Sequence, residues 1–488
     1  MSKFGKLVGY DSSKGTTVRT ELVAGVVTFL AMAYILTVNP NQIFGAGSPY
    51  WASAFIATAL GAIVGTLLMA FLAKMPLAQA SGMGLNSMLG GIIGGWGGYG
   101  AAFTPGQGFM LVLISGLLFL LLSVIRIKGK TFRELVFDGM PVSVRSAISV
   151  GIGLFIAFIG FQNAKVISGD QYVLVALVNF SAYDASVACA SVCLIGLFLI
   201  AILDKLNVKG SVIIGILGAT IVGIPMGVTD LSVLKGNGAI SWKFWKNFGD
   251  FFAGDNSVFG SFADVFKDGL MPAGVSVFTV IMIIITMCMI DMFDTMGTVV
   301  GCCGGNRILS DENNKPHNYG KIMLSDSIAT CAGAMLGTST VTTFVESGAG
   351  VSAGGRTGLT ALTVAGMFFL AMFAMPLFAA IPSAATASAL VYVGVLMMKN
   401  NVKNVDFHDA INATSAFLTI AVMVLSYSIT KGIGVGMVSY TVMSAISYLI
   451  DLIKYSITKK DKPVWNVSVV AIIVSALFCV YFFVPATF

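Results

Sequence analysis

Apolar segments of membrane-spanning length follow one another along the chain. A helix needs about 20 predominantly apolar residues to cross a bilayer. Segments of this kind lie near residues 22–44, 52–73, 106–126, 142–161, 184–203, 207–226, 274–300, 322–337, 357–378, 383–399, 410–429, 433–453 and 466–485. Two further stretches, 76–95 and 338–352, are rich in Gly, Ser and Thr. If both cross the membrane, fourteen transmembrane segments precede the last apolar segment, whose position the pattern leaves open.

The composition excludes a soluble protein. Hydrophobic residues make up 57% of the chain and charged residues 10%, whereas soluble domains carry about 25% charged residues. Basic loops beside a membrane explain the net charge of +6, so no nucleic acid partner is required. The basic, polar residues 1–21 precede an apolar segment that lacks a small-residue cleavage site, and we expect them to form a cytoplasmic leader.

The distribution of Lys and Arg predicts the orientation. If the N-terminus is cytoplasmic, alternate loops carry these residues, whereas the short loops near 45–51, 96–105 and 379–382 carry none. Cytoplasmic loops of membrane proteins show this bias. The alternation holds only if both Gly-rich stretches cross the lipid bilayer. We therefore predict a multi-pass protein of the cell (plasma or inner) membrane with a cytoplasmic N-terminus.

This topology divides the chain into two halves. Residues 22–226 would form a first seven-helix repeat, and residues 274–454 a second repeat of opposite orientation, as in transporters with inverted repeats. Residues 227–273 would form an extracytoplasmic connecting loop between them. Residues 455–488 would form a C-terminal segment, with an extra membrane helix as one option. The predicted fold class is an all-α polytopic membrane protein.

The stretches at 76–95 and 338–352 are predicted to be broken segments. The β-branched run from Thr338 to Thr343 favours extended backbone, and the glycines after it allow a turn into a half-helix. Non-helical backbone at membrane depth is tolerated only where it is buried in protein or lines a cavity. Paired interruptions at corresponding positions of two halves point to the binding site of a transporter. The alternative is that these small residues only allow helices to pack closely.

Carboxylates lie beside these segments. Asp291 and Asp294 are three residues apart on the predicted helix 274–300, and Glu346 lies within the second broken segment. A charged side chain at the bilayer centre costs at least about 2.5–3.5 kcal/mol, so such residues face a cavity or a partner and mark transport paths. A structural hydrogen bond to a neighbouring helix is the alternative, above all for Asp291. Asn86 can donate hydrogen bonds to a ligand and accept hydrogen bonds from it. The alternative is that its amide joins two neighbouring helices.

Several motifs together resemble the AzgA-like purine permeases, the guanine/hypoxanthine/adenine branch of the nucleobase transporters. The resemblance runs almost from end to end of the chain, and each motif alone would be weak. The motifs are residues 21–36 and 38–40, Gly82-Met83-Gly84-Leu85-Asn86, Phe293-Asp294-Thr295-Met296-Gly297-Thr298, residues 337–343 leading into Glu346-Ser347, and residues 354–360. Ser81, Ser87 and Ser415 depart from the family pattern, which puts the fine substrate preference in doubt more than the class.

The resemblance implies a fold of two inverted seven-helix repeats, divided into core and gate domains. It also implies import of purine nucleobases by proton symport, and it allows a homodimer. By the same resemblance, Asp294 and Glu346 would bind the base, Asn86 would shape the site, and Glu346 or Asp294 would couple the proton. The remaining candidates are Thr343, Phe344 and Ser347 for substrate binding and Asp291 for proton coupling.

The chemistry of a purine suits such a site. Carboxylates accept hydrogen bonds from its N–H edge, an amide can meet its acceptor edge, and an aromatic ring such as Phe344 or Phe155 can cover its face. The alternatives are a xanthine, uracil or anion transporter on the same fold, or a channel. An intramembrane enzyme would need a nucleophile–base pair or a metal cluster. The two histidines, His317 and His408, lie in loops outside the predicted spans and do not supply one. We predict no catalytic residue, metal or cofactor.

Overall fold

The computed structural model describes residues 3–11, 15–95, 102–127, 130–131, 140–170, 174–181, 183–208, 210–235, 240–303, 308–310, 316–459, 464–465 and 467–483. Helices dominate these residues. In the first half they are α1 (Lys3–Val8), α2 (Val18–Met32), α3 (Ile35–Phe44), α4 (Trp51–Leu68, continued by a wider turn over Met69–Ala73), α5 (Met83–Gly94), α6 (Pro105–Val124), α7 (Val142–Asn163), α8 (Ala185–Lys205) and α9 (Ser211–Gly223).

The second half begins with two short connecting helices. The helices are α10 (Phe244–Ala253), α11 (Val258–Asp268), α12 (Val277–Cys303), α13 (Tyr319–Leu336), α14 (Ser347–Ser352), α15 (Gly358–Ala371), α16 (Met375–Ala379), α17 (Ser383–Asn401), α18 (Ala410–Leu425), α19 (Ile429–Thr458) and α20 (Val469–Phe483). The strands pair as hairpins or across the chain: β1 (Gln79–Ser81) with β6 (Val341–Thr343), β2 (Arg126–Ile127) with β3 (Lys130–Thr131), and β4 (Ile167–Asp170) with β5 (Leu174–Leu177).

Polar side chains fix where several apolar helices begin. The Thr104 hydroxyl accepts a hydrogen bond from the Gln107 N–H, while the Gln107 side chain accepts from the Thr104 N–H, and together they cap α6. Asp184 and Asp409 accept from backbone N–H groups in the first turns of α8 and α18. Such caps satisfy donors that the helix itself leaves unpaired, at a typical gain of about 1 kcal/mol.

The predicted spans are close to the observed helices. Among the described residues, eight helices are long and apolar enough to cross a membrane, and four shorter apolar helices accompany them. The first helical segment long enough to cross a membrane begins at Val18, inside the predicted leader of residues 1–21. The predicted connecting loop contains the two short helices α10 and α11, and the last apolar segment is the helix α20. The extended backbone predicted for the second broken segment is confirmed by β6.

The helices pack in two groups. Helices α2–α6 pack with α12–α16 in what we call the first bundle, and α7–α9 pack with α17–α19 in the second bundle. The bundles meet where α7 contacts α5 and α12, where α2 contacts α9, and where α3 contacts α17. Both broken segments belong to the first bundle, and α5 and α3 bring them to its boundary with the second.

Candidate functional site

The two broken segments pair with each other inside the first bundle. β1 and β6 are antiparallel, with Gln79 opposite Thr343 and Ser81 opposite Val341. The Gly82 N–H donates to the Thr340 carbonyl at 2.9 Å. All six strand residues are buried. Because each strand leads into a half-helix, the pairing places the first turns of α5 and α14 at opposite ends of one short ribbon.

Close packing explains the glycine at the start of α5. A Cβ on Gly82 would lie 2.5 Å from Cγ2 of Thr342, which is paired with Ala80 in the strand ribbon. A methyl group at this distance would push the two strands apart. The small residue is therefore required where the strand turns into the half-helix.

Glu346 lies at the N-cap of α14, and 7% of its surface is exposed. Its Oε1 accepts a hydrogen bond from the Tyr34 hydroxyl at 2.5 Å. Tyr34 lies in the turn that separates α2 from α3. The Oε2 atom is buried and has no hydrogen-bond partner among the described residues. A buried carboxylate oxygen without a donor is costly, so Oε2 is available to a ligand.

Asp294 is only partly buried on α12, and its Oδ2 accepts a long hydrogen bond of 3.4 Å from the Thr342 hydroxyl. It is close enough to Glu346 and Tyr34 to interact with both electrostatically. The structure thus brings together the two carboxylates that the sequence predicted for the site. A long bond and partial exposure leave the Asp294 carboxylate free to accept from a stronger donor.

Asn86 lies in the first turns of α5 and is fully buried. Its Oδ1 accepts a short hydrogen bond from the Ser339 hydroxyl, whereas its Nδ2 has no partner among the described residues. Because Oδ1 is held by the second broken segment, the amide presents its donor end. Asn86 therefore joins the two segments and still offers an N–H group.

Thr343, Gln79 and Asp326 form a separate polar cluster on the other face of the strand pair. The Asp326 Oδ1 accepts from Gln79 Nε2 at 2.8 Å and from the Thr343 hydroxyl at 3.4 Å. The Asp326 Oδ2 accepts from the Thr295 hydroxyl at 2.7 Å. Successive strand residues face opposite sides, so Thr342 faces Asp294 whereas Thr343 faces Asp326.

The other predicted residues make structural contacts. Asp291 is fully buried, and its Oδ2 accepts from Thr330 of α13 at 2.8 Å. The Ser347 hydroxyl accepts from the Ala78 N–H at 3.0 Å, and the Phe344 N–H donates to the Ala78 carbonyl at 3.0 Å. Phe155 belongs to the second bundle, where its ring packs against Tyr427 with a 5.4 Å centroid separation.

Sequence reasoning missed three residues of this region. Tyr34 and Gln79 are polar groups in apolar surroundings and carry no charge, so nothing marked them. Asp326 did carry a signal, because it is a carboxylate inside the predicted span 322–337. The cost of a membrane carboxylate, applied to Glu346 and Asp294, applies equally to Asp326.

The charged residues Glu21 and Arg356 are occupied by other contacts. Glu21 is fully buried and accepts from the backbone N–H groups of Arg356, Thr357 and Thr360 at 3.0–3.3 Å, which caps α15. The Arg356 guanidinium donates to the Val351 and Gly355 carbonyls. The described residues contain no group of three or more His, Cys, Asp or Glu side chains that could hold a metal ion.

The chain is similar to known permeases over most of its length. The guanine/hypoxanthine permease PbuO of Bacillus subtilis (strain 168) is 36% identical over 441 residues, which cover 88% of this chain and 92% of that protein. The adenine permease AdeQ of Escherichia coli (strain K12) is 34% identical over 429 residues, 88% of each chain. The putative permease MJ0326 of Methanocaldococcus jannaschii is 34% identical over 433 residues, 89% of this chain and 91% of that protein.

Solved transporters share the fold at low identity. The transmembrane domain of the cyanobacterial bicarbonate transporter BicA has a TM-score of 0.58 at 16% identity and covers 85% of this chain and 97% of its own. SLC26A9 has a TM-score of 0.54 at 10% identity and covers 93% of this chain and 70% of its own. At these identities the likeness concerns the fold alone.

The family predicted from the motifs is confirmed. The model of the Permease family (Xan_ur_permease) matches residues 19–435. That match includes both broken segments, Asp294 and Glu346. Together with the apolar helices and the relatives above, it shows that this multi-pass membrane protein belongs to the Permease family.

Proposed function

We propose that the protein imports purine nucleobases, namely guanine, hypoxanthine or adenine, by proton symport across the cell membrane. The observation that carries the proposal is a pair of buried polar atoms without partners, Oε2 of Glu346 and Nδ2 of Asn86, at the two paired broken segments. One atom is an acceptor and the other a donor. Relatives that are guanine/hypoxanthine and adenine permeases support the same substrate class.

A purine offers the complementary edge. Its ring N–H groups can donate to Glu346 and Asp294, and its ring nitrogens or carbonyl can accept from Asn86. Hydrogen bonds to an ionised carboxylate are about twice as strong as neutral ones. Phe344 is 5% exposed and precedes Glu346 by two residues, so we assign it to the wall of this site. We assign Thr343 and Ser347 to the support of the site.

The two carboxylates supply the proton site. Glu346 and Asp294 lie within electrostatic reach of each other, and two carboxylates so placed favour sharing a proton over ionising together. Asp291 accepts a hydrogen bond from Thr330 of α13 and would brace the helix or act second in the proton path. One proton entering down 100 mV releases about 2.3 kcal/mol, enough for roughly fifty-fold accumulation of a neutral solute.

The packing supports the finer fold proposal of two inverted seven-helix repeats. Suppose that α2 with α3 corresponds to α12, and that α4 to α9 correspond in order to α13, α14, α15, α17, α18 and α19. Contacts between helices of different halves then occur as pairs in which the two halves are exchanged. The contact of α13 with α6 becomes that of α4 with α15, and the contact of α12 with α6 becomes that of α2 with α15. The contact of α18 with α7 likewise becomes that of α8 with α17.

This correspondence carries the predicted domains with it. The two repeats would span residues 22–226 and 274–454. The first bundle would be the core domain, and the second bundle would be the gate domain. A cytoplasmic N-terminus would place residues 227–273 outside the cell. Residues 455–488 would follow the second repeat as the C-terminal segment. A homodimer stays a prediction, which cross-linking in intact membranes would check.

An anion substrate fits these residues less well. An anion carrier needs positive charge or unopposed half-helix ends at its site, whereas this region presents Glu346 and Asp294. Arg356 donates to the carbonyls of Val351 in α14 and of the neighbouring Gly355. The likeness to bicarbonate and anion transporters concerns the fold and does not bear on the substrate.

Uptake of radiolabelled bases tests the proposal. The protein would be expressed in cells that lack their own nucleobase permeases and assayed with hypoxanthine, guanine, adenine, xanthine and uracil. We expect uptake of one or more of the first three that collapses with a protonophore and persists without Na⁺. Uptake of only xanthine, uracil or an anion contradicts the substrate class. Purine uptake that survives the protonophore and requires Na⁺ contradicts the proton coupling.

A further inference from the structure

A cavity lies at the boundary of the two bundles, and neither Glu346 nor Asp294 lines it. It has a volume of about 550 Å³ and is lined by the end of α3, the second half of α5, the end of α7 and Tyr427. Small-molecule sites in proteins have volumes of about 300–1,000 Å³. With a cytoplasmic N-terminus, the ends of α3, α5 and α7 point to the outside, so this cavity is extracytoplasmic.

Gln42 is one of the residues that line this cavity, and one atom of its side chain is unpaired among the described residues. Gln42 is 9% exposed, and its Oε1 is buried without a hydrogen-bond partner among the described residues. Its Nε2 donates to the Ser87 hydroxyl at 3.1 Å, and that hydroxyl donates in turn to the Met83 carbonyl at 3.2 Å. The Ser87 proton is therefore used, so Ser87 can only accept from Gln42. This fixes the amide with its oxygen as the free acceptor.

Asn41 offers the complementary group. Its Oδ1 accepts from the indole Nε1 of Trp51 at 2.7 Å. Because an indole N–H only donates, the orientation of the Asn41 amide is also fixed. The amide NH₂ of Asn41 is the end that remains for a ligand. Two adjacent residues of the lining thus carry an acceptor and a donor.

The rest of the lining indicates a neutral, flat ligand. The lining residues are amides, a serine, glycines, apolar side chains and Tyr427, and none of them carries a charge. Tyr427 has a positive φ of 51° and packs against Phe155 and Phe158 at centroid distances of 5.4 and 6.0 Å. Its ring is thereby held as a firm aromatic wall. Glycine at position 90 allows this geometry, because a Cβ there would collide with the Gln42 carbonyl.

We propose that this cavity is an outer binding site for the nucleobase, in which Gln42 Oε1 accepts a ring N–H and the Asn41 amide donates to a neighbouring acceptor. The inference rests on the proposed function. The site is connected to the carboxylates through α5, because Ser87 orients Gln42 while the preceding residue, Asn86, faces the broken segments. A base bound here would be held outside the carboxylate site and pass next to Asn86.

Cysteine labelling separates the two sites. Asn163 is exposed and lines the cavity, so Asn163→Cys can be labelled from outside with a membrane-impermeant maleimide. Hypoxanthine is the probe, and protection is measured in the background Glu346→Gln, where binding at the carboxylates is weakened. The parent chain without Asn163→Cys gives the labelling of the seven native cysteines.

We expect hypoxanthine to slow labelling in the Glu346→Gln background. Adding Gln42→Leu should raise the half-protecting concentration by roughly two- to tenfold, as expected for one neutral hydrogen bond. Ser87→Ala, which frees the Gln42 amide to rotate, should raise it less. Each variant should be labelled, without hypoxanthine, at the same rate as the chain that carries Asn163→Cys alone. An equal rate shows that the variant keeps the cavity.

Two outcomes would overturn the outer site. In one, protection occurs with Glu346 intact and disappears in Glu346→Gln, which would assign all binding to the carboxylates. In the other, Gln42→Leu and Ser87→Ala leave the half-protecting concentration unchanged. Failure of the proposed function looks different, because the unmodified protein would then show neither purine uptake nor protection of Asn163→Cys in any background.

Discussion

The hydroxyl of Tyr34 donates a 2.5 Å hydrogen bond to Oε1 of Glu346. This bond joins the interruption between α2 and α3 to the start of α14. It holds the carboxylate with one oxygen occupied and directs the other, Oε2, away from any described partner. Tyr34 is therefore a positioning residue for the group that we assign to the substrate.

Tyr34→Phe should weaken purine recognition without removing it. The ring stays and keeps its packing, whereas Oε1 of Glu346 loses its donor and the carboxylate can rotate. We expect the KM for purine uptake to rise about tenfold, equivalent to about 1.4 kcal/mol, at an unchanged amount of protein in the membrane.

Tyr448→Phe is the matched control for this change. Tyr448 packs its ring against Trp465 far from the strands, with centroids 5.0 Å apart, and should tolerate the loss of a hydroxyl. A Tyr34→Phe variant that takes up purine like this control would show that the Tyr34 hydroxyl does not position Glu346.

Glu346→Gln should be the most sensitive single change. It keeps the side-chain volume but removes the negative charge and the titratable proton. Losing a charged hydrogen bond costs about 1.5–3 kcal/mol, so purine affinity should fall roughly ten- to a hundred-fold and uptake should lose its dependence on external pH. Binding and pH-dependent uptake by the purified, reconstituted variant measure both effects.

Glu21→Gln separates a structural glutamate from a functional one. Both Glu21 oxygens accept from backbone N–H groups at the start of α15, and Oε2 also accepts from the Thr360 hydroxyl at 2.5 Å. An amide would face these donors with its own N–H₂. We expect a lower melting temperature with an unchanged KM for the folded protein. If Glu346→Gln shows this same pattern, Glu346 is structural.

Asp294→Asn should impair uptake more than Asp291→Asn. Asp294 is partly exposed beside Glu346 and holds only a long bond to Thr342, so its carboxylate can reach a substrate. Asp291 is buried against Thr330, where an amide can still accept from that hydroxyl. We expect a KM increase of at least tenfold for Asp294→Asn and less than threefold for Asp291→Asn, on the scale of a charged hydrogen bond. Equal losses would place both in the transport path.

Local sequence patterns specify some features of this fold and leave others open. Span positions and the extended run before Glu346 were predictable, because burial in lipid and β-branched side chains act locally. The pairing of Gln79 with Thr343 was not, since residues 264 positions apart leave no trace in either local pattern. The face of each strand residue follows from that register. Thr342 and Thr343 could therefore not be assigned to opposite faces from the sequence.

Neutral polar partners were also beyond reach. A carboxylate in an apolar run stands out by its cost, but Tyr34 and Gln42 are ordinary residues in such runs. Their roles depend on which atoms their neighbours leave unpaired, as Ser87 does for Gln42. Only the three-dimensional arrangement reveals this.

Asp326 should stabilise the strand pair rather than bind substrate. It accepts from Gln79 of β1, Thr343 of β6 and Thr295 of α12, so it ties both broken segments to the helix that carries Asp294. Asp326→Asn would turn an amide N–H₂ toward at least one of these donors. An unsatisfied buried polar group costs about 1–3 kcal/mol, and we expect the unfolding free energy of the purified protein to fall by that amount.

A double-mutant cycle with Thr295→Val tests whether this loss comes from the hydrogen bond to Thr295. Valine keeps the shape of threonine but removes the donor, so the two changes should be less than additive by about 0.5–3 kcal/mol, the range for residues in direct contact. Thr220→Val is the control, because the Thr220 hydroxyl donates to Ile216 within α9 at 2.8 Å and shares no partner with Asp326. Its effect should add to that of Asp326→Asn. If the Thr295 pair is also additive, the Asp326 carboxylate is not held by Thr295, and another contact must explain its burial.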